Sequence, residues 1–154
     1  MNGQVFIMQG IPDCGKTSWV RAKAAELSQS LIVSADKFFY DKEDPNIYRF
    51  DSRMLPAAHN ECLRDFVSGI QLKIPYIFVD NTNISTWEIA PYYRIAEAFD
   101  YAVEIVRIEM SPYTFSNRNR HNVPVVQVFR MWRTMQREEL PRHWNVRVTR
   151  QSSI

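Results

Sequence analysis

Gly10-Ile11-Pro12-Asp13-Cys14-Gly15-Lys16-Thr17 fills every required position of the phosphate-binding loop pattern G-x-x-x-x-G-K-[ST]. Its flanks decide how it is read. The apolar run Val5-Phe6-Ile7-Met8 before it has the character of a buried strand, and the helix-competent stretch Ser18 to Leu27 follows it. Strand, glycine loop and helix make a unit in which backbone N–H groups and a helix N-terminus converge on phosphate oxygens. Gly10 permits the sharp turn, and Gly15 lets the backbone come close to a ligand. Lys16 has the reach for β- and γ-phosphates, and the Thr17 hydroxyl is an oxygen ligand for Mg²⁺. A mere glycine turn with an exposed lysine would leave no reason for every position to be filled. The expected nucleotide-contacting set is Gly10, Asp13, Cys14, Gly15, Lys16, Thr17 and Ser18. Asp13 and Cys14 stand where small glycine- or serine-type residues are common, and a carboxylate there must point away from the phosphates.

Outward from the loop, apolar runs alternate with amphipathic ones. Strands are expected at Val5–Gln9, Leu31–Ser34, Tyr76–Asp80, Ala102–Ile108 and Asn145–Thr149. Helices are expected at Lys16–Ser28, Ser52–Ile70, Thr86–Phe99 and Val125–Glu139. This alternation predicts an α/β fold, a central parallel sheet with helices on both faces. A length of 154 residues fits a single domain over 1–154, and neither a repeat nor a linker interrupts it. No apolar run approaches the roughly 20 residues of a membrane span, and Met1-Asn2-Gly3-Gln4 does not lead into a secretory signal. Cys14 and Cys62 make neither a disulfide framework nor a zinc site, so a reducing, cytoplasmic setting is expected. The formal net charge of +2 hides an asymmetry. Up to Asn117, 11 Lys and Arg face 15 Asp and Glu; from Arg118 onward there are 8 Arg, no Lys and 2 Glu. Arginine recognises phosphate through its planar fork, so this quarter is either a phosphate-facing wall or a solvated basic face and tail.

Ligands of parallel sheets sit beyond the carboxyl ends of the strands. The second strand runs into Ser34-Ala35-Asp36, which places a carboxylate where a γ-phosphate would lie. Such a group orients a nucleophilic hydroxyl and takes its proton; the plainer alternative is that Asp36 caps a short helix. The third strand ends in Asp80-Asn81-Thr82-Asn83. An Asp there helps hold Mg²⁺, so Thr17 and Asp80 are the expected metal ligands, while Asn81 and Thr82 can line an acceptor site. A polar turn with Ser85 or Thr86 capping the next helix is compatible with both. Between Ser111 and Pro124, Arg118 and Arg120 are placed to close over a transferring phosphate as a lid, or else to form an exposed basic loop. Trp19, Trp87, Trp132 and Trp144 are expected in the core or an interface. Phe38, Phe39, Tyr40, Tyr48 and Phe50, clustered after Asp36, either pack a helical cap or stack an acceptor base.

Four motifs, SADKFF at Ser34–Phe39, AHNEC at Ala58–Cys62, VDNTN at Val79–Asn83 and RNRHNVP at Arg118–Pro124, follow one another in the order seen in a known family. From about Gln4 to Arg137 the chain resembles small P-loop kinase domains related to the 5′-kinase half of bacteriophage polynucleotide kinase/phosphatase. The resemblance implies a three-layer sandwich with an arginine-bearing lid. It also implies ATP with Mg²⁺ and transfer of the γ-phosphate to a 5′-hydroxyl end of RNA or DNA. Lys16, Asp36 as general base, Arg118 and Arg120 would be catalytic; Lys37, Asp80, Asn81 and Thr82 would face the acceptor. The family's phage member carries an acceptor-gripping arginine shortly after its catalytic Asp, and here only Lys37 is basic in Lys37-Phe38-Phe39. That departure opens an alternative, a kinase of a small hydroxyl compound such as a nucleoside or sugar nucleotide, of which the zeta-toxin type is one relative. A third reading is a non-catalytic, ATP-gated binding module.

Overall fold

Strand β1 (Gly3–Gln9) takes the middle of the sheet in the computed structural model, which describes residues 1–115 and 123–150. Its apolar run needs cover on both faces, and it gets it, because side chains alternate across a strand. Val5 and Ile7 enter one core cluster, Phe6 and Met8 the other. Among the described residues the sheet has five strands in the order β2-β3-β1-β4-β5, with β2 at Ser30–Val33, β3 at Tyr76–Val79, β4 at Tyr101–Glu109 and β5 at Val146–Arg150. Every pairing is parallel; Val5, for example, is in register with Ile77 on one side and Val103 on the other.

The helices fill the two outer layers. α2 (Leu55–Gln71) and α3 (Thr86–Ala98) bury Cys62, Phe66, Ile70, Ile89, Tyr92 and Ala96 against the face that carries Val5, Ile7, Ile77 and Ile105. α1 (Lys16–Ala25) and α5 (Val125–Arg137) contribute Val20, Val128 and Met135 to the face that carries Phe6, Met8, Phe78 and Val106. A short helix, α4 (Pro112–Phe115), follows β4. The molecule is therefore an α/β three-layer sandwich on a parallel sheet. Among the described residues, no helix is long and apolar enough to cross a membrane.

Some boundaries differ from the sequence expectation for local reasons. The helix expected from Ser52 opens with a 3-10 turn over Ser52–Met54, and the α-helix starts at Leu55. Asp51 caps that turn, its carboxylate accepting from the Arg53 N–H at 3.0 Å. Pro56 lacks an N–H and fits only the first α-helical turn. α1 stops at Ala25 rather than Ser28. Of the tryptophans expected in the core or an interface, Trp144 is buried and stacks on Tyr93 with ring centroids 4.5 Å apart, whereas Trp87 is 73% exposed on α3 and so is not in the core. Part of the arginine-rich quarter holds an edge strand in place. Arg147 pairs with Glu104 at 2.5 Å and Arg150 with Glu109 at 3.7 Å, joining β5 to β4.

Candidate active site

The loop after β1, the end of β3 and the end of β2 lie side by side, because β1, β3 and β2 are consecutive in the sheet. Strand spacing of about 4.8 Å then puts Asp80 between the phosphate loop and Asp36. β1 is also where the chain's crossovers change direction, the place where parallel sheets open a crevice.

Local backbone requirements explain much of the loop. Gly15 has φ 100°, in the left-handed region that glycine adopts freely. Asp13 has φ 59°, in the region that Asp and Asn tolerate better than other residues with a side chain. Its appearance in a position where small residues are common thus has a backbone reason. Cys14 is buried, and a Cβ on Gly10 would come within 2.5 Å of its Sγ and 3.0 Å of the Ile108 carbonyl oxygen. The cysteine fills the space that the glycine leaves. Burial pushes the Cys14 thiol up, against the pull of the Lys16 ammonium, so the protonated thiol is favoured.

Lys16 is only 8% exposed, and its Nζ donates to the Gly10 carbonyl at 3.0 Å and the Ile11 carbonyl at 2.8 Å, with Cys14 Sγ at 3.7 Å. The loop's own carbonyls thus satisfy an ammonium that burial would otherwise penalise. The Thr17 hydroxyl donates to Asp80 Oδ2 at 2.8 Å. Burial raises the Asp80 carboxyl above its ordinary range; the Thr17 hydrogen bond and the Lys16 charge oppose this, and the Asp36 charge adds to it. Lys16, Thr17, Asp80 and Asp36 therefore share one electrostatic neighbourhood. Thr17 and Asp80 present two hard oxygen ligands together. That suits Mg²⁺, which takes one or two protein oxygens and keeps waters and phosphate oxygens for the rest.

Asp36 does not cap the 3-10 helix Ala35–Phe39; Ser34 does, its hydroxyl accepting from the Asp36 N–H at 3.2 Å. The Asp36 carboxylate stays exposed and accepts a hydrogen bond from the Tyr48 hydroxyl at 3.1 Å on Oδ1. The VDNTN segment is tied into its surroundings. Asn81 accepts from the Ala35 N–H at 2.8 Å and donates to Cys62 Sγ at 3.5 Å. Asn83, at φ 48°, donates to the Met8 carbonyl at 2.8 Å. The Thr82 carbonyl accepts from the Gly10 N–H at 2.9 Å, linking this segment to the phosphate loop. Ser85 opens α3 through a capping box with Glu88, whose Oε2 accepts from the Ser85 N–H at 3.3 Å. The Lys37 ammonium folds onto the Ile32 carbonyl, and Ser18 is exposed in the first turn of α1. Arg118 and Arg120 lie outside the described residues.

Tyr48 as a partner of Asp36, Ser34 as the cap and Asn83 as a strand-end tie were not found by sequence reasoning. Tyr48 lies twelve residues from Asp36; its only signal was membership of the aromatic cluster.

A parallel sheet with a phosphate loop at its switch point and carboxylates at the neighbouring strand ends defines the P-loop-kinase-like fold. The profile of the AAA domain family matches residues 5–125, and the chain belongs to that family. It is 28% identical over 137 residues to human NEDD4-binding protein 2, covering 86% of this chain but 8% of that protein's length. Among solved structures it is similar to a chain of the Pnkp1/Rnl/Hen1 RNA repair complex, with TM-score 0.65 and 12% identity over 87% of this chain and 44% of that one. It is also similar to a sugar kinase from Janibacter sp., with TM-score 0.61 and 15% identity over 96% and 84%. At these identities the two structures share the fold.

Proposed function

We propose that the chain is an ATP-dependent phosphotransferase acting on a hydroxyl acceptor. The observation that carries this reading is the 2.8 Å pairing of Thr17 with Asp80 beside the buried Lys16, with Asp36 at the next strand end. Loop amides and Lys16 bind the β- and γ-phosphates of ATP, Lys16 exchanging carbonyl partners for phosphate oxygens. Thr17 and Asp80 would hold Mg²⁺, which would supply charge neutralisation for the transferring phosphate. Asp36 orients the acceptor hydroxyl and takes its proton as the oxygen–phosphorus bond forms and the bond to the β-phosphate oxygen breaks. Arg118 and Arg120 are assigned to the clamp on the transferring group.

The acceptor is proposed to be a small hydroxyl compound, a nucleoside or sugar nucleotide. The fold shared with the sugar kinase supports this, as does the basic residue after Asp36, Lys37, being engaged with the Ile32 carbonyl. A second reading, a 5′-hydroxyl end of RNA or DNA, is favoured by the motif order around Asp36, Asp80 and Arg118 and by the fold shared with the RNA repair complex.

The test is Asp36→Ala. Transfer should fall by about 10²–10⁴-fold, the usual worth of a general base, while ATP binding persists. Near-wild-type turnover would remove Asp36 from its role.

A further inference from the structure

The chain between β2 and α2 keeps a group of aromatic rings in solvent. Tyr40 is 43% exposed, Tyr48 36% and Phe50 54%, and the buried Phe39 packs against the rings of Tyr48 and Phe50. The rings fan over one another. Tyr40 and Tyr48 have centroids 4.9 Å apart, Phe39 and Phe50 5.0 Å, and Phe39 and Tyr48 6.2 Å. This segment is a braced hairpin. The Asp41 N–H donates to the Ile47 carbonyl at 2.9 Å and the Arg49 N–H to the Phe39 carbonyl at 2.9 Å, with Tyr40 and Tyr48 bridged between them.

The carboxylates of Asp41, Asp44 and Asp51 are already engaged. Asp41 Oδ1 accepts from the N–H groups of Glu43 at 2.8 Å and Asp44 at 3.0 Å, and Asp44 Oδ1 accepts from the Asn46 N–H at 3.1 Å. Those backbone bonds hold the Asp41 carboxyl below its ordinary range. Asp51 binds the Arg53 guanidinium at 2.9 Å. With Asp41 and Asp44 committed to the turn and Asp51 to Arg53, the exposed rings of Tyr40, Tyr48 and Phe50 are the main feature the hairpin offers a ligand. The platform also touches the reaction centre, since Tyr48 belongs to the fan and bonds Asp36.

We propose that this hairpin is the acceptor-recognition surface and that Tyr40, Tyr48 and Phe50 receive a nucleobase, placing the sugar hydroxyl of the same acceptor at Asp36. The ligand chemistry is a flat heteroaromatic base on a hydroxyl-bearing sugar, whether a free nucleoside or the terminal residue of an oligonucleotide. Every base has a π-face, so such a surface selects for a base without reading which one. The inference rests on the phosphotransferase reading above. Tyr48 has a second, positioning part: its hydroxyl holds Oδ1 of Asp36 and leaves Oδ2 to take the proton.

The experiment compares four acceptors with the full chain and ATP: a nucleoside, a short 5′-hydroxyl oligonucleotide, the same oligonucleotide with an abasic 5′-terminal residue, and a plain sugar. Loss of the base should raise the acceptor KM by about 5- to 150-fold, the range that stacking supplies, and the plain sugar should be poorer still. Tyr40→Ala and Phe50→Ala should raise the KM for base-bearing acceptors while the KM for ATP stays as in the wild type. Phe50→Leu keeps apolar bulk over Phe39 and should still raise it, so the test survives if the alanine variant fails to fold. Tyr40→Phe, which keeps a ring, should restore what Tyr40→Ala loses. Tyr48→Phe should lower kcat with little change in acceptor KM. The nucleoside and oligonucleotide arms separate the two sources of the base. Equal use of abasic and intact acceptors, or an acceptor KM indifferent to Tyr40→Ala and Phe50→Leu, would overturn the proposal. If the wild type binds ATP but phosphorylates nothing, the phosphotransferase reading falls. Calorimetry of adenosine binding to the chain loaded with a non-hydrolysable ATP analogue then decides the platform alone: binding lost in Phe50→Leu supports it, and no binding to the wild type overturns it.

Discussion

Lys16 is stored inside its own loop. Two carbonyls hold its ammonium, and a nucleotide must offer phosphate oxygens that outbid them. Lys16→Ala should therefore weaken ATP binding at least 10-fold while leaving the fold intact, as read by calorimetry together with circular dichroism. Asp80 gives a pH-dependent prediction. On the proposed reading Mg²⁺ needs the ionised Asp80 carboxylate, whereas burial favours the protonated form and raises its titration above the ordinary carboxylate range. Proton and metal thus compete at a pH above the ordinary carboxylate range, and Mg²⁺ affinity should fall as pH is lowered through it. Asp80→Asn should weaken Mg²⁺ binding and flatten that pH dependence, as measured by metal titration in the presence of ATP. The sign for stability is opposite. A carboxyl raised in the folded state contributes stability below its unfolded value and loses it as pH rises through the folded one, so metal-free Asp80→Asn should gain stability relative to wild type at neutral pH.

Elements bring these residues together, and they differ in how plainly they were written in the chain. The phosphate loop, β1 and the strand-end acids Asp36 and Asp80 could be read directly, because each depends on a local pattern: a glycine–lysine motif, an apolar run or a run followed by an acid. The hairpin between Tyr40 and Phe50 could not, because its geometry comes from the Asp41 turn and from Phe39 beneath it, contacts with no fixed spacing. The same holds for Asn81 and Cys62, brought together across β3 and α2, and for Arg147 and Glu104, joined across β4 and β5. For Trp87 the chain left core and interface open, and the helix settles only the first: α3 buries Ile89, Tyr92 and Tyr93, and the tryptophan falls on the exposed face. Two substitutions test this scale. Gly10→Ala forces a Cβ against Cys14 Sγ and the Ile108 carbonyl, so it should lower both stability and ATP affinity, in denaturant and nucleotide titrations. Ser85→Ala removes one half of the α3 capping box and should cost about 1 kcal/mol in the same denaturant titration.

For the whole molecule, the sheet order β2-β3-β1-β4-β5 sets one central strand between two cores and gathers the ends of β1, β3 and β2 on one edge. Phe66 on α2 is fully buried against Tyr92, so Phe66→Ala should destabilise the fold by about 3–5 kcal/mol in equilibrium unfolding. The central claim is that this edge moves a phosphoryl group from ATP to a hydroxyl. The most direct test follows label from the γ-phosphate of ATP into a nucleoside and, in parallel, into 5′-hydroxyl RNA and DNA oligonucleotides, with Lys16→Ala and Asp36→Ala as controls. The account predicts label on an acceptor hydroxyl with the wild type and its loss in both variants. Label that reaches no acceptor, or that still reaches one at the wild-type rate after Asp36→Ala, would contradict it.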